Sequence, residues 1–378
     1  MKRSFRLQLL SLFLRLVVKT ALGLIKTPQA MRARFERTAA RMFRPPEDAN
    51  FVADTIRRND NGTLIEALWA SRGRPDRRRV ILYLHGGAYL AGSSRTHRHL
   101  AAYLAGAAGV RAVVPDYRLA PEHPFPAALD DALCVYRHLL ASGYEARHIA
   151  LAGDSAGGGL VFSLLLKAAQ QGLPRPACVV AFSPWTDMTM TRPSLRRNAR
   201  RDMMLPVRRF RAVVSHYLQG AMTTDPLASP VYGEYDGGES GGPPPALITA
   251  SKSEILRDDA VAMADRLREA GGDVALELWK DMPNAWPLFV GTVRRREREQ
   301  HETERRAGAD DRHRGATWRF RLGEDRCHRR LCQQSRTVGG RAGPRTGAEA
   351  DVGRAVWRLP ATVCAAGKSH RFGARRAS

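Results

Sequence analysis

The chain has 378 residues, of which 44% are hydrophobic, so it is long enough to bury one large α/β core. It has no uninterrupted apolar run of about 20 residues, and its five cysteines form no CxxC pair, which argues against a transmembrane helix, a zinc site and a disulfide framework. The formal charge of +24 suggests nucleic acid at first, but residues 291–378 carry 21 Arg and one Lys against ten Asp and Glu, half of that excess.

Residues 1–50 form the first segment, in which residues 4–26 have the pattern of an amphipathic helix. At about 100° per residue, apolar side chains fill most of the helix surface and one narrow stripe is polar. The pattern fits a basic helix lying in a membrane interface, or a helix packed as a cap over an active-site entrance. A cleaved secretory signal is disfavoured because no A-x-A site follows closely. We therefore expect a cytoplasmic chain or one associated peripherally with a membrane or the cell envelope. The polar stripe comprises Gln8, Ser11, Arg15, Lys19 and Lys26.

Residues 51–290 alternate between short apolar runs of strand length and longer segments of helical periodicity, such as Ala127–Ala141 and Gly157–Gln170. The Gly-rich piece Gly237–Pro245 is typical of a loop. Such alternation predicts βαβ units, and so an α/β domain with a mostly parallel central sheet and helices on both faces. The predicted strands are Val80–Leu84, Ala112–Pro115, Ile149–Ala152, Ala177–Ser183, Ala246–Ala250 and Val274–Trp279.

Residues 291–378 lose this periodicity and mix Arg, Gly and Ala without apolar spacing. A charged disordered extension is one explanation. We favour another, that this stretch is read in a frame other than the one under which the domain evolved, because Arg, Gly and Ala dominate out-of-frame GC-rich DNA. A nucleic-acid arm is a third, but no aromatic residues of the stacking kind are interleaved. We therefore expect no specific nucleic-acid partner.

The five residues Gly153 to Gly157 form a G-x-S-x-G motif between a predicted strand and a predicted helix. A tight strand-to-helix turn holds such a serine in a strained conformation, and the flanking glycines let neighbouring backbone pass closely. The helix N-terminus favours developing negative charge. The motif predicts that Ser155 is a nucleophile.

A second glycine turn, His85-Gly86-Gly87, follows the predicted strand Val80–Leu84. Adjacent glycines let the backbone point its N–H groups at a substrate oxygen. Together with the N–H of Ala156, Gly86 and Gly87 are therefore predicted to form an oxyanion hole, in which each donor contributes about 3–4 kcal/mol to the transition state. His85 belongs to the turn itself and is predicted to be structural.

With these motifs the chain resembles the bacterial hormone-sensitive-lipase family of carboxylesterases, including its mycobacterial lipase and esterase members. The resemblance spans about residues 50–290 and rests on HGGAY, DYRLAPEHPFPAALDD, GDSAGGGL and SPWTDM, in the family's order. It implies an α/β-hydrolase fold with an N-terminal helical cap, which hydrolyses short- to medium-chain or lipid-like carboxylic esters through an acyl-enzyme without a metal or organic cofactor. It also implies a bracing role for the loop residues Asp116, Tyr117, Glu122 and His123.

The same resemblance assigns the remaining members of the catalytic triad. The triad acid falls at Glu254 and a structural second acid at Asp258. The histidine of the family's Met-Pro-His-x-Trp pattern falls at Asn284. An amide has no basic nitrogen near neutral pH, so it cannot accept the Ser155 proton. A rescue by a histidine of the tail is disfavoured; those histidines are His301, His313, His328 and His370.

Three functions therefore remain open, the last and least favoured being a binder of nucleic acid or of an anionic membrane through the Arg-rich tail, residues 291–378. The first is a serine esterase whose turnover in this chain is weak or absent because of Asn284. The second is a hydrolase-fold binding protein that keeps the pocket without the chemistry.

Overall fold

The computed structural model describes residues 5–25, 27–58, 62–236 and 242–290. Its centre is one eight-stranded sheet. The strands are Ala49–Arg57 (β1), Leu64–Arg72 (β2), Asp76–Leu84 (β3), Val110–Pro115 (β4), Ile149–Asp154 (β5), Cys178–Phe182 (β6), Ala246–Ser251 (β7) and Val274–Trp279 (β8). They lie in the order β1-β2-β4-β3-β5-β6-β7-β8. The pairs β1–β2 and β2–β4 are antiparallel, and the remaining neighbours are parallel.

Helices precede the sheet and connect its strands. A π-helical turn, Leu14–Lys19, joins the first two helices. The α-helices are Phe5–Phe13 (α1), Thr20–Leu24 (α2), Pro28–Met42 (α3), Ser94–Ala108 (α4), Ala127–Ala141 (α5), Ser155–Gln170 (α6), Pro193–Arg197 (α7), Phe210–Leu218 (α8) and Arg257–Glu269 (α9). Short 3₁₀ turns cover Ala146–His148, Val207–Arg209, Pro230–Tyr232 and Trp286–Phe289.

The expectation of an α/β-hydrolase architecture, with a mostly parallel sheet and an N-terminal helical region, is confirmed. Successive side chains of the central strands point to opposite faces of the sheet. Leu82 and Leu151 belong to one hydrophobic cluster, together with residues of α5, α6 and α9. Ile81 and Ala150 belong to a second cluster, together with residues of α4. Two separate cores therefore lie on the two faces, each covered by helices.

The six predicted strands all occur, with ends shifted by up to four residues, and α5 has the predicted bounds. The sequence patterns do not predict β1 and β2. Most side chains of β1 are wholly or partly exposed, so the strand lacks the continuous apolar run that marks β5 and β6. The antiparallel edge of the sheet therefore carries a weaker hydrophobic signal than its parallel centre.

Two sequence expectations fall largely outside the described residues. These are the tail, residues 291–378 with its four histidines, and most of the Gly-rich loop, residues 237–241. Pro243 to Pro245, just before β7, have no regular secondary structure, as predicted for the loop. Among the described helices, none has the length and apolar character needed to cross a membrane.

Candidate active site

The predicted site residues all follow strands of the parallel part of the sheet. Gly86 follows β3, Ser155 follows β5, Glu254 follows β7 and Asn284 follows β8. These strands are parallel, so their carboxyl ends lie at one edge of the sheet. That edge is where α/β sheets bind ligands. The topology thus brings the predicted nucleophile, acid and base positions to one side of the molecule.

Ser155 forms a sharp turn between β5 and α6. Its φ is 52°, which lies in the left-handed region that side chains other than glycine rarely adopt. Its carbonyl accepts a 2.9 Å hydrogen bond from the N–H of Trp185. A Cβ on Gly157 would meet the backbone carbonyls of Leu84 and His85, so glycine allows α6 to start directly against the end of β3. The serine is half-buried at the helix start, which is the geometry of a nucleophile elbow.

The glycine turn differs from the prediction at one residue. The N–H of Gly86 donates a 2.9 Å hydrogen bond to the carboxylate of Asp154, so the expectation that it faces a substrate oxygen is wrong. A Cβ at Gly86 would overlap that same carboxylate. The N–H groups of Gly87, Ala88 and Ala156 donate to no described residue. The free donors of the turn therefore begin one residue later than predicted.

Asp154 anchors this turn through the Gly86 N–H, a role that no sequence pattern predicts. Its carboxylate also accepts a 2.7 Å hydrogen bond from the hydroxyl of Tyr83 and lies 3.5 Å from Nε2 of His97. Burial raises the pKa of Asp154, but His97 together with the Tyr83 and Gly86 hydrogen bonds outweighs it and holds that pKa below its ordinary value. Asp154 is thus a buried anion. The only sequence feature that points to a role for Asp154 is its position directly before the motif serine.

His85 is structural, as expected from its place in the turn. Its Nδ1 lies 2.9 Å from the carbonyl oxygen of Gly86, and its ring stacks on Tyr117 at 4.1 Å between centroids. Burial lowers the pKa of His85 to about 3, so the ring is neutral at physiological pH. The Tyr117 hydroxyl donates a 2.5 Å hydrogen bond to the carbonyl of His85. The loop therefore braces the turn through Tyr117.

The other loop residues also make structural contacts. Asp116 accepts hydrogen bonds from the backbone and hydroxyl of Ser94. Glu122 forms a 2.5 Å ion pair with Arg32 of α3, which ties the loop to the N-terminal helices. Asp258, the predicted second acid, accepts a 2.8 Å hydrogen bond from the N–H of Ser194. These carboxylates hold segments together at the rim of the sheet.

Glu254 is fully buried behind the loop that follows β8. Its Oε2 accepts a 2.8 Å hydrogen bond from the Ser183 hydroxyl, which in turn accepts 2.9 Å from the N–H of Ala285. Burial raises the pKa of Glu254 well above its ordinary value, and the nearby Asp202 raises it further. No sequence pattern assigns Ser183 a role of its own, although it is the first residue of the SPWTDM run.

Asn284 is buried at the position predicted for the base. Its Nδ2 and Oε1 of Glu254 are both buried, and neither makes a hydrogen bond with a described residue. A buried donor and a buried acceptor without partners each carry a desolvation cost. Within the described ranges, no group of three His, Cys, Asp or Glu side chains could hold a metal ion.

Comparison with known proteins decides the family. The model of the α/β-hydrolase fold family matches residues 81–288, which is more than half of the chain. The chain belongs to this family. The match extends from β3 to the 3₁₀ turn after Asn284 and so includes every predicted site position.

Relatives of this hydrolase include bacterial esterases. An acetyl-hydrolase of Streptomyces hygroscopicus is 40% identical over 223 residues, which cover 59% of this chain and 73% of the relative. The carboxylesterase/phospholipase LipF of Mycobacterium tuberculosis is 33% identical over 274 residues, 72% of either chain. A crystal structure of an esterase from the bacterial hormone-sensitive lipase family has a TM-score of 0.70 at 37% identity, covering 82% of this chain and 98% of that one. The resemblance to that family of esterases is thereby confirmed.

Proposed function

We propose that this hydrolase has the site of a serine carboxylesterase for uncharged esters with short to medium acyl chains. Ser155 Oγ attacks the ester carbonyl carbon, and the alcohol leaves with a proton. Water then attacks the acyl-enzyme, which releases the carboxylic acid and restores the serine. The names of the relatives, an acetyl-hydrolase and carboxylesterases, support this substrate class.

The observation that carries the proposal is the strained Ser155 beside three unused backbone donors. The N–H groups of Gly87, Ala88 and Ala156 belong to two turns that meet at the carboxyl ends of β3 and β5. They would hold the oxyanion of the tetrahedral intermediate, each contributing about 3–4 kcal/mol. Gly86 supports this hole through Asp154 instead of donating to it.

Position 284 limits turnover in this chain. Glu254 would orient an imidazole and stabilise its charged form, but Asn284 offers an amide that accepts no proton. Loss of a triad base lowers kcat by on the order of 10⁴–10⁶, and the oxyanion hole sustains the remainder. We therefore expect slow hydrolysis by the chain as it stands.

Hydrolysis of p-nitrophenyl acetate and butyrate by three proteins tests the proposal: the chain itself, Asn284→His, and Asn284→His with Ser155→Ala. We expect at least about a hundredfold gain in kcat/KM from Asn284→His, with the Ser155→Ala change abolishing that gain. Equal rates in the first two proteins would contradict the role given to position 284. Retention of the gain without the serine would contradict the nucleophile.

A second candidate function is a binding protein that keeps the hydrolase pocket. It is favoured by the buried Asn284, whose amide cannot act as a base. Labelling by a fluorophosphonate distinguishes the two, since rapid labelling needs an activated serine. The esterase proposal expects slow, Ser155-dependent labelling that accelerates in Asn284→His. No labelling of either protein, together with tight binding of an uncleaved ester, favours the binding protein.

A further inference from the structure

Many apolar side chains of the N-terminal helices point away from the protein, whereas Leu14 is buried and Leu10 and Val18 pack against a core cluster. Leu16 and Leu24 are 64% and 68% exposed, among six large apolar residues on the surface of this segment. A helix that simply packs against a domain places such residues inward. Because residues Leu14–Lys19 are π-helical, the regular wheel used for the sequence does not hold through this segment. The exposed set is Leu9, Leu12, Phe13, Leu16, Val17 and Leu24.

The polar side chains of the same segment bind the protein instead. Arg15 Nη2 donates a 3.1 Å hydrogen bond to the carbonyl of Arg201. Lys19 Nζ donates 2.7 Å hydrogen bonds to the carbonyls of both Ala199 and Asp202. The side chains of Arg15 and Lys19 therefore attach the segment to the protein, and Leu14 is its fully buried apolar contact. The outward direction of the leucines is a consequence of this attachment.

The surface that receives Arg15 and Lys19 is itself strongly basic. Residues 192–211 contain eight Arg and one acidic residue, the buried Asp202. Arg192 pairs with Asp187 at 2.7 Å, whereas the other seven form no ion pair with a carboxylate in the described part of the chain. The exposed guanidinium groups belong to Arg196, Arg197, Arg200, Arg201, Arg208 and Arg211.

The apolar and basic sets adjoin each other. Besides the contacts of Arg15 and Lys19, the Arg208 side chain lies close to Gly23, where a Cβ would fall 2.5 Å from Nη2. An open apolar groove of about 480 Å³ runs along the segment and into α3; its lining residues are Leu16, Val17, Thr20, Ala21, Leu24, Ile25 and Arg34. We name the surface formed by residues 8–25 and 196–211 the Leu-Arg face.

We propose that the Leu-Arg face docks this hydrolase on an anionic lipid surface. Leucines on one side and arginines beside them match a bilayer interface, where acyl chains accept the former and headgroup phosphates the latter. A nucleic acid offers phosphates but no apolar layer for six large side chains. A second copy of the chain would oppose one set of arginines to another, which like-charge repulsion disfavours. Of these three occupants, only an anionic bilayer offers partners for both the leucines and the arginines.

Docking through this face would bring the candidate site near the lipid. Leu14 lies in the same hydrophobic cluster as Met203, Ala285 and Leu288. Ala285 and Leu288 belong to the segment that carries Asn284. Thus the helices that present the leucines share one hydrophobic core with the loop at the edge of the candidate site. An ester within the bilayer would approach the protein from this side.

Co-sedimentation of the full chain with vesicles tests the proposal without reference to activity. The vesicles are pure phosphatidylcholine and an equimolar mixture of phosphatidylcholine with phosphatidylglycerol. Leu16→Gln/Leu24→Gln removes apolar contacts, and Val52→Gln/Leu64→Gln is its control, since those residues are exposed on β1 and β2. Arg197→Gln/Arg200→Gln removes two charges, and Arg74→Gln/Arg77→Gln removes two exposed charges elsewhere.

We expect the anionic vesicles to bind the chain at least about tenfold more tightly than the neutral ones, with salt weakening that binding. Each Leu-Arg face variant should lose about tenfold in affinity, and each control less than about twofold. Equal losses in variants and controls would overturn the proposal, because the tail or the net charge would then explain the binding. Absence of vesicle binding would also overturn it. Self-association that is lost in Leu16→Gln/Leu24→Gln would then indicate a second copy as the occupant, and preferential binding to duplex DNA would indicate a nucleic acid.

Discussion

The hydroxyl of Ser183 donates a 2.8 Å hydrogen bond to the carboxyl group of Glu254. The same oxygen accepts the N–H of Ala285 at 2.9 Å. One side chain from the end of β6 therefore links the loop after β7 to the loop after β8. Both Ser183, with φ of 48°, and Ala285, with φ of 47°, are in the left-handed region, so this junction is held against local backbone preference.

Ser183 is accordingly expected to position the acid relative to residue 284. In an Asn284→His background, Ser183→Ala should lower kcat/KM by about tenfold. It should also move the acidic limb of the pH profile to higher pH, because the Ser183 hydrogen bond lowers the pKa of Glu254. Ser163→Ala is the control, since that buried hydroxyl bonds only within α6. A fall in kcat/KM without any shift of the profile would indicate a merely structural role.

Glu254 is expected to make stability depend on pH. Burial raises its folded-state pKa above the unfolded value. Its favourable contribution is therefore fully present below the ordinary Glu pKa and is lost as pH rises through the raised one. Glu254→Gln should unfold in urea with about 1 kcal/mol more free energy than the parent chain at about pH 8, and with little difference at about pH 4. Equal pH dependence of both proteins would show that Glu254 ionises freely when folded.

Asp154 should be important for stability although it lies beside the nucleophile. Asp154→Asn removes an anion that accepts from Tyr83 and Gly86, so we expect a loss of about 3 kcal/mol in the free energy of unfolding. Asp130→Asn is a matched control on α5, where we expect a change below about 0.5 kcal/mol. Urea denaturation at neutral pH measures both. A small effect of Asp154→Asn would show that the glycine turn holds without the charge.

Substitution of Gly157 should destabilise the fold for a steric reason. Alanine favours a helix over glycine by about 1 kcal/mol, yet a Cβ here would meet the carbonyls of Leu84 and His85. We expect Gly157→Ala to lower the free energy of unfolding by about 3 kcal/mol. Gly109→Ala is the contrasting variant, because its φ is 66° but nothing lies within 4 Å of its Cβ. That change should cost about 1 kcal/mol of backbone strain alone, and equal losses in both variants would contradict the steric explanation.

Much of the fold follows from local sequence patterns. The apolar runs at β3 to β8 and the periodicity of α5 locate these elements to within a few residues. The signal is strongest at β5, β6 and β7, where every residue is buried, because burial on both faces demands continuous hydrophobicity. The half-exposed strands β1 and β2 give no comparable signal. Similarly, the G-x-S-x-G motif identified the turn at Ser155, whose φ of 52° is a local consequence of strand meeting helix.

By itself, the sequence determined the family, the succession of strands and helices from β3 onward, and the order in which Ser155, Glu254 and Asn284 follow their strands. These depend on near neighbours in the chain. Only the tertiary structure decided that Asp154 engages the Gly86 N–H, and that Arg15 and Lys19 bind the protein while Leu16 and Leu24 face out. In each case a polar group takes a partner from elsewhere in the chain: Asp154 lies 68 positions from Gly86, and Ala199 lies 180 from Lys19. No local pattern encodes such a choice, because it is made by whichever distant donor or acceptor the folded chain brings within reach.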